Sequence, residues 1–393
     1  MNRMSLLFVA LAGALALPAH AQTAPAPKYN VVAQPGLGGG SSLATSINNQ
    51  SWIAGRSNLP GNSARHATLW KDGRLTDLGT LGGPNSAVLW PVKNTQGVIT
   101  GISQTNAPDP RKETWSCGVF FPEAAATGYR CVGFRWVNGR MTELPTLGGT
   151  HGFATGTNNS LRTVGWAENT TVDPTCTAPQ QLQFRAVVWG PNGQVERQLR
   201  PVGRHTSSAA TAINDQGTVV GISGNCDQAV GRFSAINAVI WNNGTPSIIP
   251  TFGGVAWNTP NAINADGVVV GFGNSSATVG GEFDPRAFIW TRSEGTKRLK
   301  PLAGHPTSQA TGVNKFHHVV GQSCTADGVC VATLWTPGNK VYDLNALVGP
   351  STLYLLSAND IDDFGRIAGQ AYDTVSETYV AYKATPRLSN PGH

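Results

Sequence analysis

The sequence contains none of the short motifs that identify common hydrolases and metalloenzymes. The segment Gly221–Asn225 begins like a G-x-S-x-G turn but ends in asparagine, and no H-E-x-x-H pair occurs. No EF-hand-like or repeated acidic calcium-binding motif is present either. These absences exclude the enzyme classes that such motifs define. They leave open whether the protein is an enzyme at all.

Long apolar runs are also missing. Apart from Leu6–Leu17, no stretch approaches the ~18 apolar residues of a membrane-spanning helix. That segment follows Arg3 and precedes Ala19–Ala21, a small-x-small cleavage site, which together are typical of a secretory signal peptide. We therefore predict a signal peptide over residues 1–21, a linker over 22–28, and a soluble, secreted or periplasmic protein after cleavage near Ala21.

Acidic residues are few, and the charges of both signs are scattered. The chain has 22 Asp and Glu residues against 28 Lys and Arg, a formal net charge of +6. Nucleic-acid binding would need a coherent basic stripe, which the sequence does not show. Catalysis by paired carboxylates stays open because such pairs are defined by separation in space. Few acidic residues lie in the variable loops, among them Glu113, Glu168 and Glu282.

What the sequence does contain is one unit repeated seven times from Leu37 to the C-terminus. The fifth copy opens at Phe252–Gly254, passes through the turn Asn264–Gly267 into an apolar run, and reaches Ala287–Trp290. Each copy holds four short strand candidates separated by Gly, Asn and Asp turns. In six copies a tryptophan stands three residues after a small residue; these are Trp70, Trp136, Trp189, Trp241, Trp290 and Trp335.

Four strands in each repeat of about 40–50 residues is typical of a propeller blade. We therefore predict an all-β, seven-bladed β-propeller over residues 29–386, with a C-terminal tail over 387–393. The last copy ends after three strands, and Tyr29–Ala33 stands where a fourth would be expected. The N-terminal strand should join the last blade and close the ring, which hides both sheet edges. The repeated tryptophans should pack between blades.

The repeat also resembles a known family. The L-G-G opening, the pattern I-N-x-x-G-x-V-V-G at Ile263–Gly271 and the pattern H-A-x-L-W at His66–Trp70 resemble the extracellular repeat units of the bacterial HAF family. The resemblance covers nearly the whole mature chain and implies a secreted, propeller-like protein. It supplies no activity and no catalytic residues.

All six cysteines fall between a second and a third strand. In an exported chain this predicts disulfides, although several pairings are formally open. Cys117 with Cys131 would staple the longest insertion, and Cys324 with Cys330 would pin a short hairpin. Cys176 and Cys226, in equivalent loops of adjacent blades, would form the third pair. A zinc site is the alternative.

The segment between the second and third strands varies most in length, and such insertions usually decorate a binding face. On this face His151, His205 and His305 each follow a blade opening closely. Imidazoles near the channel mouth would bind a divalent metal or carry protons. The alternative is that they are ordinary polar loop residues.

Aromatic residues form a second candidate site. Trp115, Tyr129, Trp166 and Trp257 are predicted to bind ligand, because exposed tryptophans stack on sugars or anchor protein partners. The alternative is that they pack the long loops onto the blades. Trp90, by contrast, is expected in the core of a first strand.

Two functions follow as hypotheses. The first is a secreted, monomeric recognition module that binds an extracellular carbohydrate or protein on the insertion-bearing face, without nucleic acid, membrane span or required cofactor. The second is a metal-dependent lyase or hydrolase that acts on extracellular polysaccharide through His151, His205 and His305.

Metal analysis separates these hypotheses. The mature protein is purified without chelator and compared with a variant carrying alanine at His151, His205 and His305. Under the enzyme hypothesis, about one equivalent of metal is bound and disappears in the variant. Absence of bound metal from both proteins would remove the three-histidine site and direct the work to glycan and partner binding.

Overall fold

The structure of the protein is a computed structural model that describes residues 26–113, 115–121, 128–227 and 231–387. The predicted signal peptide and its cleavage site lie outside the described residues, as do most of the linker and residues 388–393 of the tail. Within the described part of the chain, no helix has the length and apolar character needed to cross a bilayer.

The described chain forms seven four-stranded antiparallel sheets arranged as a seven-bladed β-propeller, which confirms the predicted fold class. Blade 1 comprises β2 (Ser42–Ile47), β3 (Ile53–Asn58), β4 (Arg65–Lys71) and β5 (Arg74–Asp77), and blade 2 comprises β6 (Gly82–Ala87), β7 (Ile99–Pro108), β8 (Tyr129–Val137) and β9 (Arg140–Glu143). Blade 3 comprises β10 (Gly148–Thr157), β11 (Thr163–Val172), β12 (Leu182–Trp189) and β13 (Val195–Leu199), and blade 4 comprises β14 (Ser207–Ile213), β15 (Val219–Gly224), β16 (Asn237–Asn242) and β17 (Thr245–Ile249). Blade 5 comprises β18 (Thr259–Ile263), β19 (Val269–Asn274), β20 (Pro285–Thr291) and β21 (Gly295–Arg298), and blade 6 comprises β22 (Thr307–Val313), β23 (Val319–Cys324), β24 (Cys330–Thr336) and β25 (Lys340–Asp343). Blade 7 comprises β26 (Leu353–Ile361), β27 (Ile367–Asp373), β28 (Thr378–Pro386) and β1 (Tyr29–Ala33). Helical segments are short: α1 (Trp115–Phe120) and the 3₁₀ turns Arg232–Ala235 and Leu344–Leu347.

The two ends of the chain meet in blade 7. β1 pairs antiparallel with β28, with Tyr29 opposite Pro386 and Ala33 opposite Tyr382. The last sheet therefore runs in the order β1-β28-β27-β26, as the truncated seventh repeat predicts.

The repeated tryptophans pack between blades, also as predicted. Trp241 of blade 4 shares a buried cluster with Ala186 of blade 3, and Trp335 of blade 6 shares one with Ala287 of blade 5. A small residue at these positions lets the large ring of the next blade approach the sheet closely. Blade 7 lacks the tryptophan, and there Tyr29 and Tyr382 fill the cluster instead.

Asparagines in the turns after the first strands join the blades around the channel. The Oδ1 of Asn264 accepts the amides of Asp266 and Val268 in its own turn, at 3.0 and 2.9 Å. Its Nδ2 donates to the carbonyl of Asn314 in the next blade, at 3.0 Å. The side chains that make the corresponding bond to the next blade are Asn48, Asn158, Asn214, Asn264 and Asn314. In these five blades one asparagine thus closes the turn and holds the next blade, whereas Asp362 closes the turn of blade 7 and Asn94 donates within its own turn.

Substituting Asn264 with alanine tests this bridge. Asn264 is buried, and its loss leaves two amides and one carbonyl without their partner. We expect Asn264→Ala to lower the free energy of unfolding by about 1–3 kcal/mol, measured by urea denaturation. Asp266→Ala, an exposed change in the same turn, is the control and should have little effect. Equal effects of the two changes would contradict the bridging role.

The stability of the protein at alkaline pH tests the closure of the ring by β1, which carries Tyr29. Burial, aided by the negative charge of Asp362, raises the pKa of Tyr29 from 10.0 to about 12. A folded-state pKa above the unfolded value means that the stability contributed by the protonated phenol is complete below pH 10 and is lost as the pH rises towards 12. Wild type should therefore lose stability relative to Tyr29→Phe between pH 10 and 12 in thermal melts. A constant difference in Tm across this interval would contradict the shift.

Candidate functional site

The connections between second and third strands all emerge on one face of the ring, which we call the loop face. Its insertions are held by disulfides in the pairing that the sequence predicted. Cys117–Cys131 ties α1 to β8, Cys176–Cys226 joins the loops of blades 3 and 4, and Cys324–Cys330 closes a hairpin. The loop face is thus cross-linked both within and between blades.

An aromatic cluster anchors the blade 2 insertion. Trp166 is fully buried and stacks on Phe153, with ring centroids 4.5 Å apart and planes 13° apart. Trp90 meets both rings edge-on, and Phe120 of α1 packs against Phe153 at 5.3 Å. The ring of Trp166 is therefore inside the loop core and is not displayed to solvent. Apolar packing of this kind stabilises a long insertion without further secondary structure.

The other predicted aromatic residues have different settings. Trp115 is the first residue of α1, and Tyr129 is the first residue of β8, with 38% of its surface exposed. Trp90 lies three residues beyond the end of β6 at Ala87, so it is not inside a first strand. It is half-buried and packs against the core cluster that contains Phe153 and Trp166.

A cavity of about 330 Å³ occupies the mouth of the central channel on the loop face. Its aromatic side is formed by Trp257, Phe272, Phe283 and Trp90, and its polar side by first-strand side chains; these are Thr45, Thr259, Asn261, Gln309, Thr311 and Asn359. None of the described residues that line it carries a charge. An apolar wall facing a few fixed polar groups is typical of small-ligand sites.

Several interactions hold Trp257 at this cavity. Its Nε1 donates to the carbonyl of Gly281 at 2.8 Å, and its ring meets Phe283 edge-on at 4.9 Å. Gly231, with φ of 131°, lies so close that a Cβ there would stand 2.4 Å from the indole. Because the indole N–H is already bonded, Trp257 offers a ligand its ring rather than its donor.

The polar side of the cavity is fixed by bonds between blades. The Nδ2 of Asn261 donates to the carbonyl of Ala310, and the Nδ2 of Asn359 donates to that of Ala44, both at 2.8 Å. Thr311 bonds to carbonyls of its own blade and of blade 7. These groups are oriented before any ligand arrives, so binding need not order them.

An ion pair next to the polar wall of the cavity joins blades 2 and 7. Lys93 contacts the Oδ1 of Asp360 at 2.5 Å and donates to the carbonyl of Ile361 at 2.7 Å. Asp360 follows Asn359 of the cavity wall and is fully buried. Burial raises the pKa of Asp360, while the charge of Lys93 opposes this rise.

The three predicted histidines make different contacts. The Nδ1 of His205 lies 2.9 Å from the Oγ of Ser223, and burial lowers its pKa. The Nδ1 of His305 donates to the carbonyl of Ala303. In the described part of the chain, His151 belongs to two groups of three potential metal-binding atoms that lie within 4.8 Å of one another. Neither His205 nor His305 belongs to such a group. The joint three-histidine metal site stays a prediction.

His151 instead belongs to a buried acidic cluster, which comprises Asp109, Glu113, His151 and Glu168 and which we call the acidic cluster. All four are at most 7% exposed. All three carboxylates accept backbone amides. The Oδ1 of Asp109 accepts that of Arg111, the Oε2 of Glu168 accepts those of Thr150 and His151, and the Oε1 of Glu113 accepts those of Gln181 and Leu182. The cluster therefore joins the insertions of blades 2 and 3.

Protonation in the acidic cluster follows from burial and hydrogen bonding. Burial raises the pKa of Glu168, although His151 and several hydrogen bonds oppose this. Burial alone would also raise the pKa of Asp109, but the contact with His151 and the amides of Arg111 and Lys112 bring it below its usual value. The sequence placed Glu113 and Glu168 in variable loops, but Glu168 lies in β11 of blade 3. No sequence signal joined it to Asp109 and Glu113, because these two belong to the insertion of blade 2.

Comparisons with known proteins identify the family. Residues 149–384 match the family described as protein of unknown function (DUF3466), and the chain belongs to it. No curated protein sequence matches the chain.

Solved structures share the propeller arrangement at low identity. A puromycin hydrolase mutant is 10% identical, with a TM-score of 0.47 over 84% of this chain and 50% of that one, so the chain spans half of its length. A sialidase from Trypanosoma rangeli is 9% identical, with a TM-score of 0.39 over 92% of this chain and 59% of that one. A gluconolactonase from Xanthomonas campestris is 8% identical, with a TM-score of 0.33 over 65% of this chain and 79% of that one. They carry no argument about activity.

Proposed function

We propose that the protein is an exported recognition module that binds a neutral carbohydrate in the channel-mouth cavity of its loop face. The observation that carries the proposal is the pairing of an immobilised indole, Trp257, with uncharged amide and hydroxyl side chains across one cavity. Sugar rings present an apolar face to an aromatic ring and hydroxyl groups to amides, so both walls would be used.

The uncharged lining favours one class of ligand over another. An acidic polysaccharide would need Lys or Arg near its carboxylates, and the described lining residues supply none. The net charge of +6 belongs to side chains elsewhere on the chain. A neutral glycan therefore fits the cavity better than the acidic polymer that the overall charge would favour.

Export is part of the same proposal. Three disulfides support an oxidising compartment, because such bonds are rare in the cytosol. The N-terminal segment with its cleavage pattern near Ala21, and the resemblance to HAF repeats, support it from the sequence. Among the predicted ligand-binding residues, Trp257 is the one that this proposal uses. Trp166 would act by supporting the insertion.

Binding to a panel of neutral and acidic oligosaccharides tests the proposal. We expect Trp257→Ala to weaken binding of the best neutral ligand at least about tenfold, or ~1.4 kcal/mol, by calorimetry. Phe316→Ala is the matched control, since Phe316 is an exposed aromatic residue in a turn on the opposite face. Preference for acidic ligands, or equal binding by wild type and Trp257→Ala, would contradict the proposal.

A second variant tests the placement of the indole without removing it. In Gly231→Ala the new methyl group would overlap the ring of Trp257 and force it from its position. We expect ligand affinity to fall, although the variant keeps every tryptophan, as its intrinsic fluorescence should confirm. Unchanged affinity in Gly231→Ala would show that the position of Trp257 does not matter for binding.

A further inference from the structure

The acidic cluster holds more negative charge than its surroundings compensate. Among the described residues, no Lys or Arg forms an ion pair with Asp109, Glu113 or Glu168. Their one basic contact is His151, whose Nε2 lies 3.3 Å from the Oδ2 of Asp109. Carboxylates buried without compensation are costly, so such clusters bind cations or retain protons.

Two buried oxygen atoms in this region have no hydrogen-bond partner among the residues that the structure describes. One is the Oε2 of Glu113, a residue that is 1% exposed, and the other is the Oε1 of Gln180, which is 3% exposed. Gln180 lies beside Glu168, to which its Nε2 donates at 2.9 Å, and it precedes Gln181, whose amide binds Glu113. Buried acceptors without donors are rare in folded proteins, and a bound cation satisfies them directly.

The tautomer of His151 determines its part in such a site. Its Nδ1 accepts the amide N–H of Cys131 at 3.1 Å, so that nitrogen carries no proton. The ring proton of neutral His151 is then on Nε2, which faces Asp109 and has no free lone pair for a metal. His151 would therefore not bind the metal itself; its Nε2 faces the carboxylate of Asp109, as residues behind metal ligands do.

From these observations we infer that the acidic cluster is a binding site for a hard divalent cation of the calcium type, held by carboxylate oxygens of Asp109 and Glu113. Ligand atoms of Asp109, Glu113 and His151 lie within 4.8 Å of one another. Two oxygens that share a calcium ion at about 2.3–2.6 Å fall within this separation. Gln180 would add its unpaired amide oxygen as a third ligand.

The cation would have a structural role. Asp109 and Glu113 belong to the blade 2 insertion, whereas His151, Glu168 and Gln180 belong to blade 3. Binding would therefore join the two longest insertions next to the Cys117–Cys131 disulfide. This role is separate from the carbohydrate cavity, because none of these residues lines it.

Thermal unfolding and calorimetry of the oxidised, mature protein test the site. The protein is stripped with EDTA and titrated with CaCl₂, MgCl₂ or ZnCl₂. We expect one calcium ion to bind per chain and to raise Tm by an amount that grows with the logarithm of free calcium. Glu113→Gln, which keeps an oxygen to accept the amides of Gln181 and Leu182, should weaken calcium binding on the order of tenfold or more.

Glu143→Gln is the matched control, because Glu143 is a more exposed carboxylate of the same blade that pairs with Arg130. It should leave calcium affinity unchanged. If Glu113→Gln does not fold, the calcium stoichiometry and the chelator-dependent Tm of wild type alone decide the question. Absence of calcium binding to wild type overturns the inference, as does binding of zinc without calcium, which would indicate nitrogen or sulfur ligands.

Discussion

The hydrogen bond from an asparagine side chain to the turn of the next blade is the interaction on which this molecule depends. A four-stranded sheet cannot bury both of its faces alone, so each blade is stable only against its neighbours. Asn214, for example, closes its own turn through Oδ1 and reaches Asn264 of the next blade through Nδ2. The tryptophan layer supplies apolar burial, but it is the directional amide bond that sets how far apart consecutive blades stand.

The opposite face is free to vary because of this arrangement. Once the asparagine turns and the tryptophan layer have fixed the ring, the loop face can accept insertions without loss of blade packing. The two longest insertions, in blades 2 and 3, use this freedom and fold on each other through Trp166, Phe153 and the acidic cluster. The channel-mouth cavity, in turn, depends on blades 1, 5, 6 and 7 for its polar wall, and on loop residues together with Phe272 of β19 for its aromatic wall.

Sequence reasoning was most successful where the signal repeats. The period of the Asn–Gly turns and the small residue three positions before each tryptophan predicted the number of blades and their packing. The repeat period also supported the pairing of Cys176 with Cys226, since the two occupy equivalent positions in adjacent repeats. For the candidate site, Trp257 was named in advance, whereas Phe283 and Gln309 were not, because neither belongs to the repeated pattern.

The sequence by itself therefore determined the architecture of this protein: seven blades, the closure by Tyr29–Ala33 and the position of the variable loops. These features depend on local residue types at a fixed spacing, and the same types recur in each copy of the repeat. Only the tertiary structure decided that Trp166 is buried, that Trp257 faces a cavity, and that Asp109, Glu113 and His151 come together. Those contacts join loops of unequal length, and no periodic pattern encodes how such loops fold onto one another.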